Sequence, residues 1–164
     1  MTINSLQDLY LEQLRDLYDA ENQLIKALPK MAKAATAADL RAGFEQHLTE
    51  TKNQVTRLEK VCQQVGCKPS GNTCEAMEGL IEEGEEIVDL GLDKDAQDAG
   101  LIAAAQKVEH YEIALYGTLV AFAKQLGHQD AARLLHETLD EEKRTDQKLT
   151  QLAERGVNMK ADKK

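Results

Sequence analysis

Apolar residues recur at alternating intervals of three and four along most of this chain, and no other feature constrains the fold as strongly. That spacing places side chains on one face of an α-helix. Glycine, proline and helix-capping residues interrupt the pattern and divide it into four long helical segments and one short one. The predicted long helices cover about residues 5–35, 38–66, 93–126 and 129–155, and the short helix covers about 74–90.

Local signals mark the ends of these helices. Ser5, with Asp8 three residues later, resembles a capping box that begins the first helix. Pro29 is expected to bend that helix or to end it early, because proline cannot donate the helical hydrogen bond. Glycines are expected to end the second, third and fourth long helices at Gly66, Gly127 and Gly156.

The order of the helices predicts the architecture. Residues 67–73 form a loop, in which Asn72 or Thr73 is available to cap the short helix. Two helices, a long connection that contains an extra helix, and then two more helices are typical of a ferritin-like four-helix bundle with one long crossover. We therefore expect an all-α fold with one domain over residues 1–158 and a short disordered tail over residues 159–164.

Charge and length narrow the function classes. The chain has 164 residues and a formal net charge of -9, so it lacks the surplus of Lys and Arg that nucleic-acid binding needs and favours cations instead. The sequence shows neither an export leader nor a long apolar run that would span a membrane. We expect a cytoplasmic protein that binds neither nucleic acid nor membrane.

Glutamates interrupt the apolar faces of the long helices. Glu21 falls among leucines in the first helix, and Glu109 and Glu112 take two successive core positions in the third. Glu50 and Glu141 lie on the stripes chosen for the second and fourth helices. All five lie near helix midpoints, so antiparallel packing would bring them to one layer. Burying ionised carboxylates together costs many kcal/mol unless cations compensate, and a pair of divalent ions would do so.

Each glutamate also has a simpler interpretation, as a rim residue whose carboxylate reaches water. Glu45, Glu137 and Glu142 are assigned to such solvated faces. His47 lies one turn before Glu50 and is either a metal ligand, a residue that orients a ligand, or an ordinary packed residue. The candidates for a supporting role around the ligands are Tyr18, Gln54, His110 and Arg144.

The second and fourth long helices form a weak internal repeat. The segment from Glu50 to Leu58 aligns without a gap with the segment from Glu141 to Leu149. The two halves of the bundle therefore look related.

Three cysteines, Cys62, Cys67 and Cys74, cannot all pair within one chain, and their spacing does not match a zinc or rubredoxin-type site. The favoured interpretation is three ordinary thiols. A redox role for the pair formed by Cys67 and Cys74 is the alternative.

Four strings in the sequence resemble the YciE/YciF family of bacterial ferritin-like proteins, and the resemblance covers nearly the whole chain. These strings are LYDAENQL, HLTETKNQ, VEHYEIALYG and LDEEKRTD, which begin at residues 17, 47, 108 and 139. The resemblance implies a rubrerythrin-related bundle, a homodimer, and a cytoplasmic protein linked to stress, without an assigned reaction.

The resemblance also implies a ligand set for two iron or manganese ions. By the pattern of ferritin-like di-metal proteins, Glu21, Glu50, Glu109 and Glu141 carry over as ligands, and Glu112 resembles the extra carboxylate of rubrerythrin-type sites. The histidines that usually follow two of these glutamates by three residues are absent. Asn53 and Arg144 stand there instead, and His47 is a substitute ligand on one side.

Two functional hypotheses follow. The first is a di-metal oxidoreductase-type protein that acts on Fe(II), oxygen or peroxide, with a manganese catalase-like activity as one form of it. The second is a non-enzymatic, dimeric helical stress protein with a degenerate metal site.

Overall fold

A computed structural model describes residues 3–162, and the helices in it follow the pattern of the sequence closely. Among these residues there are no strands. The helices are α1 (Leu6–Ala34), α2 (Ala38–Val65), α3 (Glu75–Asp89), α4 (Lys94–Gln125) and α5 (Gln129–Leu152), followed by a π-helical turn (Ala153–Val157) and α6 (Asn158–Ala161). The all-α fold, with a short helix in the connection between the second and third long helices, is confirmed.

The four long helices form a closed ring of neighbours. α1 packs on α2, α2 on α5, α5 on α4, and α4 on α1, while α3 lies against α1 and α4. Short connections join α1 to α2 and α4 to α5, so each of these pairs is antiparallel. No helix within residues 3–162 has the combination of length and apolar character that crossing a membrane requires.

Most of the predicted caps are present. The Ser5 hydroxyl oxygen accepts a hydrogen bond from the Asp8 backbone N–H at 3.1 Å, and the hydroxyl donates to the Asp8 carboxylate at 2.7 Å. Gly66 follows α2 with a φ of 70°, a left-handed conformation that favours glycine. The short helix differs, because the Cys74 sulfur rather than Asn72 or Thr73 accepts from the backbone of Met77.

Two helix ends differ from the expectation. α1 does not end early, since it continues through Pro29 to Ala34. The last long helix does not stop at Gly156: a π-helical turn includes this glycine and α6 continues to Ala161. Residues 159–161 are therefore helical where a disordered tail was predicted, and residues 163 and 164 lie outside the described part.

The start of α2 is held by a residue of another helix. Ala37, the N-cap residue, provides no side-chain hydrogen bond of its own. Asp98 of α4, which is 2% exposed, accepts from the backbone N–H groups of Thr36 and Ala37, both at 2.7 Å. Since a negative charge is favourable at a helix N-terminus, this contact both satisfies two backbone donors and ties α2 to α4.

The apolar interior is divided into two clusters. One contains Tyr10, Leu14, Leu58, Leu119 and Leu135, and the other contains Leu28, Phe44, Leu101, Ile102 and Leu149, among other residues. Along every long helix, the change from one cluster to the other occurs near the helix midpoint. Charged and polar side chains fill the layer between them.

Candidate metal centre

Five ionisable side chains meet in this middle layer. Glu21 comes from α1, His47 from α2, Glu109 and Glu112 from α4, and Glu142 from α5, and none of them is more than 3% exposed. One ligand atom from each of His47, Glu109, Glu112 and Glu142 can be chosen so that all four lie within 4.8 Å of one another. We call Glu21, His47, Glu109, Glu112 and Glu142 together the carboxylate cluster.

His47 lies between two of the carboxylates. Its Nδ1 is 3.2 Å from Glu109 Oε1, and its Nε2 is 3.5 Å from Glu142 Oε2. Both ring nitrogens therefore face carboxylate oxygens. A histidine in this position can bind a cation through one nitrogen while the other donates to a neighbouring carboxylate.

Glu21 has a hydrogen-bonding partner at the edge of the cluster. The hydroxyl of Tyr116, itself fully buried, donates to Glu21 Oε1. Glu21 and Glu112 also lie close enough to share a hydrogen bond when one of them is protonated. Tyr116 of α4 therefore fixes one oxygen of Glu21 of α1.

Most of the polar atoms in the cluster lack partners. Eight of its buried atoms make no hydrogen bond: Glu21 Oε2, His47 Nε2 and both carboxylate oxygens of Glu109, Glu112 and Glu142. Buried polar groups are nearly always paired, and an unpaired charge is costlier still. So many unpaired acceptors facing one another indicate a place for a ligand that carries positive charge.

The pKa values of the cluster carboxyls reflect this environment. Burial raises the pKa of Glu21, Glu109 and Glu112 well above the ordinary value of 4.5, and the charges of neighbouring carboxylates raise these pKa values further. Burial also raises the pKa of Tyr116, as does its neighbour Glu21. Without a compensating cation, the protein would keep protons on part of this cluster at neutral pH.

Two of the predicted ligands lie outside the cluster. Glu50 is half-buried and accepts a hydrogen bond from Gln46 at 2.9 Å. Glu141 forms two hydrogen bonds with the Arg57 guanidinium, at 2.9 and 3.0 Å, and accepts a third from Gln54 at 3.1 Å. Burial favours the neutral form of Glu141, but its hydrogen bonds from Arg57 and Gln54 outweigh that effect and lower its pKa.

Glu142 takes the position that was expected for Glu141. Its assignment to a solvated face was wrong, because it is fully buried. The buried stripe of α5 runs through Leu135, Leu139, Glu142 and Leu149, one residue out of register with the predicted stripe. The sequence contains only part of this signal: Glu142 lies seven residues, or two helical turns, from both Leu135 and Leu149, but Glu141 lies equally far from Leu134.

In α2 the predicted stripe is correct at His47, Gln54, Leu58 and Val61 and wrong at Glu50. Its buried stripe runs through Phe44, His47, Thr51, Gln54 and Leu58, so Thr51 points inward instead of Glu50. By contrast, the stripes predicted for α1 and α4 are correct at every glutamate.

The four residues predicted to support the ligands contact other groups. The Tyr18 hydroxyl donates to Glu59 at 3.1 Å, and His110, which is exposed, lies 3.3 Å from Asp146. Gln54 is buried but donates to Glu141. Arg144 is exposed on α5 and contributes its charge to the lowered pKa of Glu141.

The three cysteines are free thiols. Cys74 lies 3.0 Å from the Tyr111 hydroxyl, whereas Cys62 and Cys67 lie together in the first apolar cluster. The pair considered from the sequence, Cys67 and Cys74, is therefore not the pair that the fold brings together.

Comparison with known proteins places the chain in a family. Residues 5–162 match the model of a domain family of unknown function, DUF892. Protein YciF of Escherichia coli (strain K12) is 48% identical over 165 residues, which cover 100% of this chain and 99% of that protein.

Solved structures agree with this assignment. The E. coli stress protein YciF has a TM-score of 0.92 at 48% identity, covering 95% of this chain and 99% of that one. YcfI from Rhodopseudomonas palustris has a TM-score of 0.88 at 50% identity, covering 90% and 94%. A Xanthomonas campestris protein, 20% identical with a TM-score of 0.77 and coverages of 94% and 95%, shares the fold. This chain belongs to the DUF892 family, and the resemblance to the YciE/YciF proteins is confirmed.

Proposed function

We propose that this protein binds two divalent iron or manganese ions in the carboxylate cluster and that these ions react with Fe(II), oxygen or peroxide during stress. The proposed ligands are Glu21, His47, Glu109, Glu112 and Glu142. The observation that carries the proposal is the set of eight buried atoms without hydrogen-bond partners in this cluster. The link to stress comes from the name of the related E. coli structure.

Charge balance supports two ions rather than one. The cluster contains four carboxylates, Glu21, Glu109, Glu112 and Glu142, which carry four negative charges when ionised. Two divalent cations neutralise that charge, whereas one would leave the layer negative in a dry interior. Since isolated buried charges are strongly unfavourable, the neutral combination is the one that we expect.

The ligand types indicate the class of metal. Carboxylate oxygens with one imidazole nitrogen suit iron and manganese, and no thiolate lies in the cluster to favour softer ions. Such ions, when bound, supply one-electron redox steps to a small oxidant. The protein's own contribution is to hold the ligands: His47 is fixed between Glu109 and Glu142, and Tyr116 fixes one oxygen of Glu21.

Access to the cluster is narrow. A cavity of about 10 Å³ lies between α2 and α5 and is lined by Gly43, Phe44, His47, Thr145 and Lys148, among other residues. This volume is at the lower limit for holding one water molecule. Oxygen or hydrogen peroxide, each with two heavy atoms, would therefore reach the cluster from this side only if the side chains around His47 move.

The test is a metal titration of the full chain after removal of metal with a chelator. Fe(II) or Mn(II) would be added without oxygen and followed by calorimetry and by the thermal midpoint, which must rise when a ligand binds only the folded state. We expect about two ions per chain. Glu109→Gln should lose this binding, whereas the control Glu50→Gln, which changes a residue outside the cluster, should keep it.

Failure of the wild-type protein to bind either ion would overturn the proposal. Equal loss of binding in Glu109→Gln and Glu50→Gln would also count against the assigned ligands. Peroxide consumption by the loaded protein then separates a redox role from metal binding alone.

The second candidate is a non-enzymatic stress protein in which the bundle serves a structural role. The burial of the carboxylate cluster favours this candidate, because the five cluster residues are at most 3% exposed and so are shielded from reactants. It predicts a loaded protein without peroxide or oxygen turnover. The homodimer and the cytoplasmic location also remain predictions, which analytical ultracentrifugation and cell fractionation would check.

A further inference from the structure

A second reactive pair lies outside the carboxylate cluster, at the end of α2. Cys62 belongs to the last turn of this helix, and Cys67 follows the left-handed Gly66 that ends it. Cys62 is fully buried and Cys67 is 9% exposed, and both belong to the first apolar cluster. Neither thiol has a role in the function proposed above.

The helix end holds the two cysteine backbones together. The Cys67 N–H donates to the Cys62 carbonyl oxygen at 2.8 Å. Adding the standard backbone bonds on each side of that contact keeps the two Cα atoms within about 7 Å of each other. Disulfides usually join Cα atoms about 4.4–6.8 Å apart, so the backbone already satisfies the main geometric requirement.

The side chains are also close. Cys67 lies near enough to the Cys62 thiol to raise its pKa. The Cys67 sulfur contacts only weak partners, the carbonyl oxygens of Leu11 at 3.8 Å and Lys68 at 3.5 Å. The neighbouring hydroxyl of Tyr10 is buried and makes no hydrogen bond, so it is not bonded to either sulfur.

We propose that Cys62 and Cys67 form a reversible disulfide when the protein meets peroxide. The Cys67 sulfur, which belongs to the more exposed thiol, attacks one oxygen of the peroxide and the O–O bond breaks. This step releases one water and converts Cys67 to a sulfenic acid. The Cys62 sulfur then attacks the Cys67 sulfur, an S–S bond forms, and the S–O bond breaks to release a second water. The two thiols are oxidised by two electrons, and one peroxide is reduced to two waters.

The environment assigns different roles to the two thiols. Burial, together with the neighbouring Cys67, raises the pKa of Cys62 to about 12, so Cys62 is a poor first nucleophile. Cys62 therefore acts second, on a sulfur that is already held beside it. Cys74 is separate from this pair, because its sulfur lies 3.0 Å from the hydroxyl of Tyr111 and caps α3.

The test uses the full chain with Cys74→Ser, which leaves only the proposed pair. The protein is treated with dilute hydrogen peroxide, alkylated in denaturant, and digested with trypsin. Since trypsin does not cut between Lys68 and Pro69, both cysteines fall in the peptide spanning residues 61–94. We expect this peptide to lose both labels together along with two hydrogens, and to regain both labels after reduction with a dithiol.

Single variants and the wild-type protein complete the test. In the Cys74→Ser background, Cys62→Ser and Cys67→Ser should prevent the loss of two hydrogens, and a thermal melt confirms that each is folded. Peptides that keep one label, that resist peroxide, or that join Cys67 to Cys74 in the wild-type protein would each overturn the proposal. All of these experiments are carried out on protein from which metal has been removed, so their outcome is independent of the proposed metal centre.

Discussion

Arg57 of α2 holds Glu141 of α5 through two parallel hydrogen bonds, 2.9 Å from Nη1 to Oε2 and 3.0 Å from Nη2 to Oε1. Both side chains are mostly buried, with exposed fractions of 17% and 20%. This pairing directs Glu141 away from the cluster, and the next residue, Glu142, enters it. Two adjacent glutamates on one helix therefore have different surroundings: Glu141 is paired with a guanidinium, whereas Glu142 lies among other carboxylates beside His47.

Neutralising these two glutamates should affect the protein in opposite ways. Glu141→Gln removes a charge-assisted pair and should lower the free energy of unfolding by about 1–3 kcal/mol while metal binding stays intact. Glu142→Gln removes one of four carboxyl groups crowded together in the interior, so it should raise the stability of the metal-free protein and weaken metal binding by more than about tenfold. Urea unfolding and metal titration measure the two effects, and equal behaviour of the two variants would contradict this account.

The stability of the metal-free protein should fall as the pH rises from 4.5. Glu21, Glu109 and Glu112 have pKa values in the folded state that are raised above the ordinary value of 4.5. At a pH between 4.5 and these raised values, the folded state binds more protons than the unfolded state. By linkage, the free energy of unfolding then decreases with increasing pH. Urea unfolding at a series of pH values measures this slope.

The control for that slope is the loaded protein. Bound cations replace the protons, so the decline with pH should be smaller or reversed when Fe(II) or Mn(II) is present. Glu112→Gln should also reduce the slope in the metal-free protein. A metal-free stability that does not change between pH 4.5 and neutral pH would show that the cluster carboxyls are not buried as described.

Asp98 should contribute to stability through the start of α2. Asp98→Ala removes a buried carboxylate that accepts from the N–H groups of Thr36 and Ala37, and we expect it to lower the free energy of unfolding by about 1–3 kcal/mol. The matched control is Asp39→Ala, because Asp39 is an exposed acidic residue in the first turn of the same helix. Thermal and urea unfolding of both variants would reveal whether the buried contact, rather than charge alone, matters.

Two glycines of α4 should respond differently to alanine. A Cβ at Gly100 would lie 2.6 Å from Ile87 Cγ2 on α3, so Gly100→Ala should destabilise the protein by about 1–3 kcal/mol. A Cβ at Gly117 would meet nothing within 4 Å, so Gly117→Ala should instead stabilise the helix by about 0.5–1 kcal/mol. Unfolding midpoints of the two variants test this difference in sign. An increase in stability from Gly100→Ala would indicate that α3 moves freely away from α4.

The sequence predicts the helices well because the signals that define them are local. The apolar spacing, the Ser5 cap and Gly66 act within one or two turns, and the structure has these features where they were expected. Pro29 and Gly156 misled the prediction, since tertiary packing keeps the chain helical through both. Local propensity is overridden there by burial of the helix face.

The candidate site was harder to predict in the helices that have polar residues on adjacent positions. In α4 the buried face is wide, since it includes Leu101 and Leu115 beside the predicted stripe, and Glu109 and Glu112 lie within it as predicted. In α5 the registers through Glu141 and Glu142 look alike, because each passes through Leu149. What separates them is Arg57 on another helix, a contact between residues 84 positions apart that no local pattern contains.

The division of the interior into two apolar clusters has a consequence for how the bundle holds together. Each end of the molecule has its own apolar interior, and between the two lies a layer of carboxyl groups that raise one another's pKa, with Tyr111 packed against both clusters. The proposed cations in this layer would contact residues of α1, α2, α4 and α5 at the same time and so connect all four long helices. The cooperativity between the two ends of the molecule therefore depends on the contents of a single thin slice of the protein.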